Sequence, residues 1–205
     1  VTECGPYLLA TRSAGKLREL EALFSGAGIQ ILTLERAGIP ERPDEVGIER
    51  YSTFEENALA KARYFRDLSG LPTLADDSGL EVRALGGDPG VRSKRWSGRD
   101  DLMGVALDEA NNAQLLRVLR GVADRGARYV CVAALATLAG ELARRGEVAG
   151  EILEEPRGRG GFGYDPLFFA VELGRTFGEA SLAEKERVSH RGRAFHALVR
   201  AMRGG

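Results

Sequence analysis

Two carboxylates stand side by side in Ala75-Asp76-Asp77-Ser78-Gly79-Leu80, where a short apolar segment over residues 71–75 ends. Adjacent aspartates raise one another's pKa, and a strand end offers them little solvation. A divalent cation removes that cost, and magnesium favours one or two carboxylates together with substrate phosphates. Ser78 adds a hydroxyl beside the acids and Gly79 allows close backbone approach. The same residues also fit a solvated Asp-Asp-Ser-Gly turn. A second run, Gly160-Gly161-Phe162-Gly163-Tyr164-Asp165-Pro166, frames an aromatic ring with glycines. Glycine allows positive φ and close approach, and Pro166 keeps Asp165 out of the helical region. Phe162 then either offers its ring to a nucleobase, a contact of about 1–3 kcal/mol, or tucks into the core behind a tight turn.

Three further groups carry charge at element ends. Thr11-Arg12-Ser13-Ala14-Gly15-Lys16 follows a strand and opens a helix, so its N–H groups and the helix dipole favour an anion, and Lys16 adds a point charge. It is not a Walker A loop, because the first glycine is absent and Leu17 replaces the metal-touching Ser/Thr. The alternative is an ordinary strand-to-helix turn. Ser189-His190-Arg191-Gly192 precedes the last helix, either as an N-cap with its neighbours or as donors to carbonyls on a base edge. Lys61 and Glu49, taken singly, read as solvated surface groups.

The elements that must position these residues follow from periodicity. Residues 7–10 form a first buried strand, and a helix beyond Lys16 carries Leu17, Leu20, Leu23 and Phe24 on one face. Residues 29–32 form a second strand. Residues 35–50, acidic and proline-containing, read as a loop or lid bearing Glu45 and Glu49. Thr53 and Glu56 form a capping box for a helix with Phe54, Ala58, Ala62, Phe65 and Leu68 on its apolar side and Lys61 off it. Residues 73–75 are a strand ending at the acid pair, and residues 80–84 a strand leaving it. Residues 86–90 form a turn cluster, residues 113–119 an amphipathic helix, and residues 128–138 the most strand-like run, paired as a hairpin with residues 147–153. A strand over 167–171, a short helix capped by Ser181 and Glu184, and a last helix carrying Ala194, Phe195, Leu198, Val199 and Met202 complete the order. Alternating strands and helices followed by clustered strands predict a mixed-sheet α/β fold.

Composition bounds the partners. The 205 residues can bury a full core in one domain or two small lobes, and 43% hydrophobic with 29% charged residues is ordinary for a globular protein. A net charge of −1 argues against a surface that coats nucleic acid. Basic residues cluster locally at Arg157, Arg159 and over residues 185–193, which suits a small anionic ligand. The longest apolar run, residues 130–139, is too short to cross a bilayer, and nothing marks the chain for secretion. Cys4 and Cys131 form no metal-spacing motif, Cys131 reads as a small core residue, and a reduced cytoplasmic setting fits. His190 and His196 are the only histidines, which excludes a three-histidine zinc site.

In this order the segments LLATRSAGK, TFEENALAKA, LADDSGLEV, LGGDPGVRS, PRGRGGFGYDPLF and EKERVSHRG resemble the inosine triphosphate pyrophosphatase family, the noncanonical purine nucleoside triphosphate pyrophosphatases. The match runs from residue 8 to about residue 193. It implies an α/β fold with a two-lobed mixed β-sheet and flanking helices, one domain over residues 1–205, the active site in the cleft between lobes, and a cytoplasmic homodimer. It implies magnesium-dependent hydrolysis of ITP, dITP and XTP to monophosphate and pyrophosphate, cleansing the nucleotide pool. By the same resemblance Thr11, Arg12, Ser13, Ala14, Gly15, Lys16 and Lys61 hold the triphosphate. Glu49 and Asp77 bind Mg2+, with Asp77 also the base, and Ser78 contacts the substrate. Phe162, Gly163, Tyr164 and Asp165 hold the nucleoside, and Lys185, His190 and Arg191 read the base. The chain departs from the family at Ser13, usually Asn, and at Glu49-Arg50-Tyr51, usually Glu-Thr-Gly.

The chemistry has the same shape without the family. Splitting the α–β bond of a triphosphate needs charge neutralisation and a positioned water, with a carboxylate to orient and deprotonate it. Protonated base-edge residues are donors, which suit the 6-oxo group of hypoxanthine, xanthine or guanine and disfavour the 6-amino group of adenine. Two competing readings are a Maf-type pyrophosphatase for modified pyrimidine or 7-methylguanine nucleotides and a sensor that binds without hydrolysing. The Gly-Phe-Gly-Tyr-Asp and Ser-His-Arg segments speak against the first, and a paired-acid metal site speaks against the second.

Overall fold

A computed structural model of the chain describes residues 5–204. Cys4 lies outside them. The described residues hold strands β1 (Tyr7–Leu9), β2 (Ile31–Thr33), β3 (Thr73–Val82), β4 (Gly126–Ala136), β5 (Glu141–Ile152), β6 (Phe168–Ala170) and β7 (Arg175–Thr176). They also hold helices α1 (Ala14–Ala27), α2 (Phe54–Ser69), α3 (Gly104–Val118), α4 (Leu182–Val188) and α5 (His190–Met202). The strands join in one sheet of order β2-β1-β3-β4-β5-β6-β7. Pairing is parallel from β2 through β1 to β3 and antiparallel from β5 through β6 to β7, the mixed sheet expected.

The chain divides into two compact units. The first comprises the chain up to Asp77, Cys131–Gly146 and everything from Arg191 on. Its core packs Leu9, Leu20, Phe24, Leu74, Phe195 and Leu198, with Cys131 buried among them as a small apolar residue. Phe24 meets Phe195 edge to face, 5.5 Å between centroids. The second comprises Ser78–Val130 and Glu147–His190. Its core packs Leu80, Leu115, Tyr129, Ile152, Phe168 and Phe177.

Local chemistry starts the helices where the sequence places them. Ser13 caps α1, its Oγ accepting from the Lys16 N–H at 3.4 Å. Thr53 caps α2 by accepting from the Glu56 N–H, while the Glu56 carboxylate returns to the Thr53 hydroxyl. Ser181 and Glu184 form the reciprocal capping box of α4. Gly28 and Gly70 end α1 and α2 in the left-handed conformation that favours glycine.

Several expectations are corrected. The acid pair does not end a strand or make a turn, since β3 runs unbroken from Thr73 through Asp76, Asp77 and Gly79 to Val82. Both aspartates find partners inside the first unit, so neither needs the solvent of a turn. Helix α3 starts at Gly104 rather than residue 113, with Leu115 and Leu119 buried as expected. Leu68 is exposed, although the pattern places it on the apolar side of α2. Helix α5 already includes His190, so the Ser-His-Arg segment opens the helix and Ser189 closes α4. The hairpin of β4 and β5 forms but is longer than predicted, with Leu138 exposed at its turn, and β7 has no counterpart in the sequence reading. No helix among the described residues is long and apolar enough to cross a membrane.

Candidate active site

The first unit gathers charge around β3. Successive strand residues face opposite ways, so Asp76 and Asp77 meet different partners although adjacent. Asp76 is buried, and its Oδ2 accepts from Lys16 Nζ at 3.0 Å and from Arg191 Nε at 3.3 Å. The Cys131 thiol lies 3.7 Å from the same oxygen, while Oδ1 is buried with no hydrogen-bond partner among the described residues. Burial pushes the Asp76 carboxyl up, but the charges of Lys16, Arg191 and Lys61 outweigh it and hold it far below the usual carboxylate range. Arg191, itself buried, gives its other arm to Glu19, with Nη1 at 2.6 Å from Oε2. Burial opposes its charge, yet Glu19 and Asp76 hold its pKa above the ordinary arginine value.

Asp77 has the opposite balance. Its Oδ2 accepts from Asn57 Nδ2 at 2.9 Å. Asn57 is in turn fixed by Tyr51, whose N–H it accepts at 2.9 Å. Burial first, and then the negative charge of Glu49, push the Asp77 carboxyl up to about 6 against the pull of Lys61 and Lys16. Asp77 therefore contends chiefly with Glu49, and not with its sequence neighbour. Glu49 pairs with Lys61, which also donates to the Asp76 backbone carbonyl at 2.5 Å. Burial raises the Glu49 carboxyl, but Lys61 and Lys16 bring it below its ordinary value. Lys61, read from composition as solvated, is thus half-buried and ion-paired. Among the described residues no group of three or more His, Cys, Asp and Glu side chains is placed to hold a metal ion. The donor set that remains is Glu49 with Asp77, two mutually repelling carboxylates, and a hard divalent cation that completes its shell with water and phosphate oxygens fits it. Asp76 is already neutralised by two cations and does not enter that set.

The strand-to-helix loop presents Lys16 in the first turn of α1, beside the N-terminal N–H groups of the helix. Thr11 is buried, its Oγ1 accepting from the Ser13 N–H, and Ala14 and Gly15 are the first helical residues. Arg12 turns away. Its guanidinium donates to Glu45 at 2.7 and 2.9 Å and to the carbonyls of Ile39 and Pro40, pinning the segment expected to be a lid.

The second unit gathers rings and donors. Gly161 and Gly163 both have positive φ, and a Cβ on Gly161 would lie 2.0 Å from Asp165 Oδ2, so the loop needs glycine there. That same oxygen accepts from the Phe162 N–H at 2.8 Å and forms an ion pair with Lys185. Lys185 Nζ sits 4.9 Å from the centroid of the half-buried Phe162 ring and 5.2 Å from that of Phe177. Tyr164 is buried, with its hydroxyl donating to the Ser93 carbonyl at 2.8 Å, so its side chain anchors the loop. His190 is buried and stacks on Tyr129, 4.5 Å between centroids and 8° from parallel. Ser78 follows Asp77 on β3, half-buried.

The structure thus brings together Lys16, Lys61, Glu49 and Asp77 in one unit, and Phe162, Asp165, Lys185 and His190 in the other. Arg191, expected to read the base, lies in the first unit and pairs with Glu19 and Asp76. Sequence reasoning missed Glu19 and Asn57, and also Asp108 and Asn112, which hydrogen-bond the Gly163 backbone. Only Asn57 carried a signal, as a polar residue at the helical spacing of the buried face of α2.

A sequence model of the Ham1 family matches residues 7–201. The chain belongs to the Ham1 family. Among curated Ham1-family relatives, the dITP/XTP pyrophosphatase of Frankia alni is 51% identical over 199 residues, covering 96% of each chain. The dITP/XTP pyrophosphatase of Thermus thermophilus is 49% identical, covering 97% of this chain and 92% of its own. Among solved structures, a HAM1 protein from Coxiella burnetii superposes with a TM-score of 0.82 at 36% identity, over 98% of this chain and 99% of the other.

Proposed function

We propose that this Ham1-family chain hydrolyses noncanonical purine nucleoside triphosphates, ITP, dITP and XTP, to the nucleoside monophosphate and pyrophosphate. The observation that carries the reading is geometric: the first unit gathers Asp77, Glu49, Lys61 and Lys16 around β3, two carboxylates with two lysines. A carboxylate so placed can orient and deprotonate a water, and the names of the relatives supply the substrate class.

In this reading the first unit handles the triphosphate and the second the nucleoside. Lys16, with the N–H groups of Ala14 and Gly15 and the hydroxyls of Thr11 and Ser13, binds the phosphate chain. Lys61 adds a second positive charge. Glu49 and Asp77 hold magnesium, which when bound supplies charge neutralisation for the departing pyrophosphate. Asp77 orients a water and takes its proton as the water oxygen bonds to the α phosphorus and the α–β bridging bond breaks. Ser78 supplies a hydroxyl next to it. Phe162 stacks on the purine, the backbone of Gly163 and Tyr164 shapes the loop, and Asp165 orients Lys185. Lys185 and His190 donate to the 6-oxo group. Arg191 and Arg12 have structural roles here, Arg191 by seating Asp76 and Arg12 by pinning residues 39–45. The enzyme acts as a cytoplasmic homodimer on small-molecule nucleotides, and light scattering at twice the monomer mass is the check on assembly.

Product analysis tests the reading. With Mg2+, ITP should give IMP and pyrophosphate, and a chelator should stop the reaction. ATP should be poorer by at least about tenfold in kcat/KM, the effect of about 1.4 kcal/mol. Orthophosphate as the first product, or equal specificity constants for ATP and ITP, would overturn it. In the same assay Arg191→Ala should lower ITP and ATP turnover alike, since its partners are acidic side chains of the first unit.

A further inference from the structure

Helix α3 grips the nucleoside loop at one residue from two sides. Asp108 Oδ2 accepts from the Gly163 N–H at 2.8 Å, and Asn112 Nδ2 donates to the Gly163 carbonyl at 3.0 Å. Asp108 and Asn112 are one turn apart and share a helix face. Gly163 has φ of 62°, a left-handed conformation in which its N–H and C=O are both available to that face. Holding both groups fixes the rotation of the peptides on either side, and the N-terminal one belongs to Phe162. The other side of Phe162 is fixed too, because its own N–H goes to Asp165.

The helix doing the gripping is itself anchored. Asn111, next to Asn112, accepts from the Ser97 N–H at 2.8 Å and donates to the Lys94 carbonyl at 3.1 Å. Leu115 and Leu119, one and two turns on, are fully buried in the core of the unit. Asp108 is half-buried, and burial raises its carboxyl despite the opposing Gly163 N–H and Lys94 charge. A partly desolvated carboxylate is costly unless it is hydrogen-bonded, and the Gly163 N–H supplies that bond. Core packing alone would be served by apolar residues at both positions.

We propose that Asp108 and Asn112 are positioning residues for base recognition, clamping Gly163 so that Phe162 presents its ring to the purine. The proposal rests on the nucleoside role of the Phe162 loop given above. It predicts that loosening the clamp weakens contact with the nucleoside and leaves contact with the phosphates intact.

The test compares Asp108→Ala, Asp108→Asn and Asn112→Ala with the unchanged protein, after thermal melting confirms folding. Two probes are titrated, IMP and inorganic pyrophosphate, and ITP hydrolysis is followed in parallel. Wild-type turnover of ITP is measured first, so that failure of the functional reading is seen separately. The expected result is IMP binding weaker by roughly tenfold in Asp108→Ala and Asn112→Ala, with pyrophosphate binding unchanged. KM for ITP should rise by a similar factor while kcat stays within about twofold. Asp108→Asn keeps an acceptor for the Gly163 N–H and should recover most of the loss. If Asp108→Ala does not fold, Asp108→Asn and Asn112→Ala carry the comparison. Wild-type IMP affinity in the folded variants would overturn the proposal, as would equal loss of IMP and pyrophosphate.

Discussion

Asp76 and Asp77 share a peptide bond and have opposite electrostatic fates. Lys16 and Arg191 face Asp76 and keep it ionised, whereas burial and Glu49 push Asp77 up to about 6. Its ordinary value is 3.8, so the gap is about two pH units, or up to ~3 kcal/mol. The folded pKa lies above the unfolded one, so this group's contribution to stability is full below about pH 4 and is lost as pH rises through about 6. Without metal, Asp77→Asn should therefore be more stable than wild type at about pH 8, by up to ~3 kcal/mol, with the difference fading toward pH ~4. Urea unfolding in chelator across that range checks it, and a variant less stable than wild type at the high end would contradict it. In the proposed mechanism the same substitution removes the base. Its kcat for ITP should fall by about 10²–10⁴, with IMP binding little changed because Phe162, Lys185 and His190 remain.

At the scale of elements, position depends on caps and on partners distant in sequence. Ser13 caps α1 and so fills by another side chain a place that the family usually gives to Asn. Both are good caps. Ser13→Asn should stay within a few tenths of a kcal/mol of wild type in urea unfolding, whereas Ser13→Ala should cost about 1 kcal/mol. Equal stability of all three would remove the cap from the account. Caps were legible in the sequence because their chemistry is local, as at Thr53 with Glu56 and Ser181 with Glu184. The core faces of α2 and α5 were legible from spacing. The continuity of β3 was not, because Asp-Asp-Ser-Gly reads as a turn until Lys16, Arg191 and Asn57, all distant in sequence, supply partners. The pairing of Lys61 was not legible for the same reason, since Glu49 reaches it from another segment. Asp108 and Asn112 had no signal at all, because their partner is a backbone group 55 and 51 residues away.

For the whole molecule, the two units differ in the chemistry of their side chains. The first concentrates lysines and carboxylates, and the second rings, a buried lysine and a histidine. Among the candidate residues, those for the phosphate and acid chemistry fall in the first unit, Ser78 and the nucleoside residues in the second, and Arg191 alone changes group. A net charge of only −1 fits this arrangement, since the positive groups of the candidate phosphate site are matched by acids beside them. The central claim is that Asp77 directs water to the α phosphorus, with pyrophosphate as the leaving group. The most direct measurement is a single turnover of ITP in heavy-oxygen water, followed by mass spectrometry of the products. The account predicts the heavy oxygen in IMP and none in pyrophosphate, and label in pyrophosphate, or in free orthophosphate, would contradict it.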